Sequence, residues 1–137
     1  MIVVSRRSKL LFLLLIAVQA AHSVEEYAGR LYEVFPPARF VSGLVSGNLS
    51  LGFLVINVAI VGFGAWCYFG PVRSGLGAGW VVAWSWLVIE LANGVGHISI
   101  AAWEGRYVPG AITAPVLSIA AVTLALSLRA DKGSLLC

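Results

Sequence analysis

The sequence predicts an all-α integral membrane protein, a single domain over residues 1–137 in which four transmembrane helices form a bundle. Three observations predict it. Hydrophobic residues make up 60% of the chain and charged residues 11%, against about 45–50% and about 25% in an ordinary soluble domain. A soluble chain of this size lacks the polar surface to cover so much apolar material, and the mean hydropathy of +0.94 agrees. Long apolar stretches meet the length needed to cross a bilayer, about 20 residues for a hydrocarbon layer of about 30 Å. The basic residues fall at the ends of those stretches and form no patch. The formal charge of +3 is therefore no sign of a nucleic-acid partner.

The spans are expected at about 10–33, 49–69, 76–102 and 110–128. The first is the least regular. Leu10 to Ala21 is apolar apart from Gln19 and follows Arg6, Arg7 and Lys9, but it is too short to cross alone. Two readings compete. A signal peptide would be cleaved after Val18-Gln19-Ala20; a retained helix would continue through His22, Glu25 and Glu26 towards Tyr32. The second span has Asn57 as its main polar interruption, for which a hydrogen bond to another helix is expected. The third is uncharged until Glu90, and the fourth contains Pro115 and is closed by Arg129, Asp131 and Lys132. Lipid offers no partner to an open backbone group, so each span must be helical.

Residues 27–48, broken by Pro36-Pro37, mix Arg30, Glu33 and Arg39 with Leu31, Tyr32, Phe35 and Phe40. That composition suits an interfacial excursion. Gly70 to Gly75 and Glu104 to Pro109 read as turns. Cys67 and Cys137 have neither metal nor redox spacing, and a disulfide between them is not expected. With the first helix retained, Arg6, Arg7, Lys9, Arg73, Arg129 and Lys132 lie on one side, and Arg30, Arg39 and Arg106 on the other. This bias puts both termini in the cytoplasm and the chain in a plasma or inner membrane.

On that topology the polar residues gather. At 1.5 Å per residue, His22 lies roughly 18 Å up the first helix and Glu25 and Glu26 roughly 22–24 Å. On the third, Glu90 lies roughly 21 Å up, Asn93 roughly 25 Å and His97 roughly 31 Å. His22, Glu25 and Glu26 are spaced i, i+3, i+4 and share a face. So do Glu90, Asn93 and His97 at i, i+3, i+7. Ionisable groups inside spans are costly unless paired or bound to an ion. Imidazole and carboxylate on facing helices are a common way for a bundle to hold a metal, and suit a divalent transition metal (zinc, iron or manganese) better than calcium. The candidate ligands are His22, Glu25, Glu26, Glu90 and His97; the candidate acid–base groups are Glu25, Glu26 and Glu90; Asn93 and Tyr107 are supporting residues. For each there is a plainer reading: a helix end reaching water for the first three, a neutral buried carboxyl for Glu90, interhelical hydrogen bonding for Asn93, a solvated imidazole for His97 and a solvated loop for Glu104 and Tyr107.

His22-Ser-Val-Glu25-Glu26 resembles the HxxEE signature of the HXXEE-motif membrane family. Asn93-Gly-Val-Gly-His97 resembles that family's NxxxH element. Gly105-Arg-Tyr107, leading into Pro109-Gly110 and Thr113, resembles its glycine–tyrosine turn. The resemblance covers about residues 15 to 115 in family order. It implies a multi-pass protein of unassigned function, and it argues against cleavage at Ala20, which would strand the first motif on a loose terminus.

Three classes of function follow. The first is a metal-dependent enzyme acting on a membrane lipid or another amphiphile, with hydrolysis the favoured reaction and oxidation by iron needing much the same ligands. No Gly-x-Ser-x-Gly elbow, Cys–His pair or phosphate-cradling loop points to other chemistry. The second is a proton or metal-ion transporter, and the third an accessory subunit whose polar cluster only locks helix packing. The sequence leaves the substrate and the oligomeric state open.

Overall fold

Apolar runs preceded by a capping side chain set the helix starts. Ser5 accepts the Ser8 N–H at 3.1 Å ahead of α1 (Arg6–Ala28). Asn48 does the same for Leu51 at 3.2 Å ahead of the long helix that begins at Leu49. Both supply an acceptor to a backbone donor that the helix itself leaves open. The computed structural model describes residues 3–75 and 77–133; Leu76, the expected start of the third span, and Cys137 lie outside them. The described residues form only helices and turns. After α1 come two short helices, α2 (Leu31–Val34) and α3 (Pro36–Val45), then α4 (Leu49–Cys67) with a π-helical extension over Tyr68–Val72, α5 (Gly77–Glu104) and α6 (Ala114–Gly133).

Four of these helices are long and apolar enough to cross a membrane: α1, α4 with its extension, α5 and α6. The first stops at Ala28, because Gly29 turns the chain and Arg30 adopts a left-handed conformation at φ 57°. The continuation towards Tyr32 that its apolar pattern suggests becomes α2 instead. Pro36-Pro37 ends α2 and also opens α3, the helix position at which a missing N–H costs nothing. The excursion over 27–48 is thus two short helices, and α3 leaves Phe40 and Leu44 largely exposed, as a helix resting in a membrane interface would.

α6 packs along both α5 and α1, and α1 in turn packs along α4, while α3 folds back on the start of α4. Gly94 lets α5 approach α6, since a Cβ there would run into Ser118 and the Ala114 carbonyl. The core at the terminal end contains Phe12, Leu15, Trp86, Leu87, Leu117 and Leu124, all buried. The outward faces carry exposed Leu14, Val58, Phe63, Ile89, Ile119 and Leu126. So broad an apolar surface is a contact surface for lipid. The start of α1 and the end of α6 lie together at one end of the bundle: the Asp131 carboxylate accepts from the Ser5 N–H at 3.1 Å and the Ser8 hydroxyl at 2.7 Å, and Ser8 meets Ser127 at 2.8 Å. The polar site lies towards the other end.

Candidate metal centre

α1 brings His22 and Glu26 to one face, one turn apart, and α5 brings His97 against them. Glu26 Oε1 lies 3.0 Å from His97 Nε2 and 3.4 Å from His22 Nε2. The two imidazoles meet edge to face with centroids 4.8 Å apart. All three residues are buried, His22 completely. Among the described residues they form the one group of His, Cys, Asp or Glu whose ligand atoms converge, all within 4.8 Å of one another.

The loop between α5 and α6 covers the histidines, and Glu25 holds that loop. Its Oε1 accepts from the Tyr107 hydroxyl (2.9 Å) and from the backbone N–H groups of Gly110 (3.1 Å) and Ile112 (3.0 Å). Its Oε2 accepts from the Thr113 N–H (2.8 Å) and the Thr113 hydroxyl (2.5 Å). These donors precede the first turn of α6, where open N–H groups and the helix dipole favour an anion. Tyr107 responds in kind: partial burial, then its bond to the Glu25 carboxylate, raises its hydroxyl pKa above the ordinary tyrosine value.

This clamp sets the tautomer of His22. Thr113 has one hydroxyl proton, and the 2.5 Å bond commits it to Glu25. The same oxygen lies 2.7 Å from His22 Nδ1, so it accepts there and Nδ1 carries the hydrogen. The lone pair of neutral His22 then lies on Nε2, which faces Glu26 and has no hydrogen-bond partner. A fixed Nδ1–H with a free Nε2 is how second-sphere partners present a histidine to a metal. Gly110 completes the cover. Its φ of +96° suits only glycine, and a Cβ there would lie 2.7 Å from the His97 ring and 3.0 Å from that of His22.

Glu90 and Asn93, one turn apart on α5, line a cavity of about 410 Å³ together with Glu26 and His97. Glu90 is buried, and its Oε2 has no partner. Of the residues singled out in the sequence, His22, Glu26 and His97 therefore come together, Glu90 and Asn93 stand beside them in the cavity, and Glu25 faces the loop that carries Tyr107. Thr113 and Gly110 were visible only as parts of a motif; their roles depend on a contact between α1 and a loop some 90 residues later. Asn57 departs from expectation: its amide donates to the Phe53 carbonyl of its own helix at 3.0 Å, and among the described residues it makes no bond to a neighbouring helix.

Fold and site together define a polytopic helical membrane protein with a buried two-histidine, one-carboxylate group. The model of the family described as "protein of unknown function with HXXEE motif" matches residues 13–125, and the chain belongs to that family. No curated protein and no solved structure matches it.

Proposed function

We propose that the protein is a membrane-embedded, metal-dependent enzyme, and that His22, Glu26 and His97 hold a divalent transition metal. The observation that carries this reading is the Nε2 of buried His22, which makes no hydrogen bond, has the Glu26 carboxylate 3.4 Å before it, and is held in that direction by Thr113 and Glu25. Two imidazoles and one carboxylate suit zinc as a catalytic site with an open position, or iron as a facial triad. Hydrolysis of an ester or amide in a lipid-derived amphiphile is the reaction that fits best. A bound metal of this kind supplies a Lewis acid and an acidified water.

The chain's own residues do the rest. Glu90, facing the cavity with a free oxygen, takes the proton of the attacking water and delivers it to the leaving group. The new bond joins the water oxygen to the acyl carbon, and the bond from that carbon to the leaving oxygen or nitrogen breaks. Asn93 offers an amide donor in the same cavity. The loop over residues 105–113 shields the histidines on the other side. A transport path is less well supported, because the terminal half of the core is closed by Phe12, Leu15, Leu87 and Leu124.

Elemental mass spectrometry on purified protein, run with acyl-ester and acyl-amide turnover, tests this reading. About one metal per chain is expected in the wild type, with loss in folded His97→Ala and retention in Glu90→Gln. Turnover should be lost in both variants. Metal-free wild type after reconstitution with zinc, iron and manganese, or full turnover in Glu90→Gln, refutes it.

A further inference from the structure

The cavity beside the three ligands has most of its polar lining on one side. α1 and α5 contribute Gln19, Glu26, Glu90 and Asn93, with Ile89 at the edge, whereas α4 contributes Phe53, Ile56 and Ile60 around a single amide, Asn57, and α3 contributes Val41 and Ser42. Two atoms of the polar wall, Gln19 Oε1 and Glu90 Oε2, are buried and have no hydrogen-bond partner. A buried polar atom left unmatched is costly, because it has given up its bonds to water for nothing in return. Gln19 Oε1 is an acceptor, and Glu90 Oε2 accepts when ionised and donates when protonated, so a hydroxyl, which does both, matches the pair. Among the described residues no lysine or arginine lines the cavity, whereas Glu26 and Glu90 do, with His97 beside them. Without a metal at the site, a phosphate-bearing headgroup would find no fixed cation there and would face carboxylates in a poorly screened space; a bound metal would offset that repulsion.

The cavity also reaches the lipid-facing surface. α4 and α5 touch each other only sparsely, and each packs mainly on other helices. Ile60 of α4 and Ile89 of α5 line the cavity, yet they are 38% and 62% exposed. An apolar mouth between two spans, with a polar floor behind it, accepts a molecule from within the bilayer. A volume of about 410 Å³ holds a headgroup and part of one acyl chain, at the lower end of the range of about 300–1,000 Å³ for small-molecule sites.

We propose that the gap between α4 and α5 admits a single-chain amphiphile with an uncharged, hydroxyl-bearing headgroup, which docks on Gln19 and Glu90 while its chain passes between Ile60 and Ile89. The inference rests on the proposed function only for the chemistry that follows docking. Glycerol monooleate carries such a headgroup, and oleoyl lysophosphatidic acid is its phosphorylated counterpart with the same chain.

The test is retention of each radiolabelled lipid by the purified full chain in detergent after chelation, because a bound metal would itself hold a phosphate, with metal content measured before and after chelation. The wild type should retain about one glycerol monooleate per chain and at least about tenfold less of the phosphorylated lipid, a factor equivalent to about 1.4 kcal/mol. Ile60→Trp/Ile89→Trp should abolish retention, whereas Ile119→Trp, on the exposed face of α6, should leave it intact. Equal retention of the two lipids, or full retention in the double tryptophan variant, overturns the proposal. Metal without selective retention defeats the portal and spares the metal centre; selective retention without metal does the reverse.

Discussion

Replacing Glu25 by glutamine tests whether one carboxylate holds both the loop and the orientation of His22. Glu25 accepts five hydrogen bonds, two at exposed positions, from Tyr107 and Ile112, and three at partly buried ones, from Gly110 and Thr113. Water replaces the exposed pair at little cost, so the buried three decide the outcome. Glutamine leaves one oxygen and puts an amide that cannot accept where the other stood. With its oxygen turned to Thr113 it leaves one of the buried three, the Gly110 N–H, without an acceptor; turned the other way it leaves two, the Thr113 N–H and hydroxyl. At about 1–3 kcal/mol for each buried donor left unmatched, partly relieved by water at the loop edge, Glu25→Gln should destabilise the fold by about 1–3 kcal/mol. The second effect is on the metal. With a neutral amide in place of the carboxylate, the Thr113 hydroxyl has a weaker acceptor or none, so its donation to His22 Nδ1 competes and the wrong tautomer gains weight; affinity should fall about 10–100-fold. Reversible unfolding in detergent, followed by tryptophan fluorescence, measures the first effect, and competitive zinc titration the second. Thr113→Ser, which keeps the hydroxyl, should retain most of the affinity, and Thr113→Val should lose it. A Glu25→Gln protein within about 0.5 kcal/mol of wild type, with unchanged zinc affinity, would refute the reasoning.

Gly110→Ala puts a methyl group against both imidazoles at a left-handed backbone position. It should cost about 2–4 kcal/mol in the same unfolding assay, and a neutral result would contradict the loop geometry. Tyr107 should titrate above the ordinary tyrosine pKa of about 10, because burial and the Glu25 bond both raise it. A raised pKa in the folded state means that this contribution to stability is complete below pH of about 10 and is lost as pH rises through the folded value. The tyrosinate absorbance of wild type minus that of Tyr107→Phe should therefore appear late in an alkaline titration; appearance at or below about pH 10 would count against the bond.

Much of the architecture was legible because a membrane leaves few choices. Uncharged stretches of sufficient length have to be helices, and the spacing of His22 and Glu26 put them on one face before any contact was known. The shared depth of Glu25 and Glu26 with Glu90 and Asn93 anticipated that the polar faces of α1 and α5 meet, but heights of roughly 18 Å for His22 and roughly 31 Å for His97 did not anticipate two rings with centroids 4.8 Å apart. Which of two adjacent glutamates faces the histidines was not legible. Neighbours on a helix point about 100° apart, and only the packing of α6 against α1 turns Glu25 towards the loop and leaves Glu26 inside. The break at Gly29 and Arg30 was hidden for a related reason: apolar residues continue through Leu31 and Tyr32, but they pack against Phe53 and Val108 from a separate short helix. Asn57 shows the limit of reading a polar residue in a span as a link between helices, since its own backbone one turn back satisfies it.

X-ray absorption spectroscopy at the metal edge, on the reconstituted wild type and on His97→Ala, tests the central claim most directly. The account predicts a first shell of nitrogen and oxygen at about 2.0–2.2 Å, with the multiple scattering of two imidazoles in the wild type and of one in the variant. A shell without imidazole, or one unchanged by His97→Ala, would contradict a metal held by His22, Glu26 and His97.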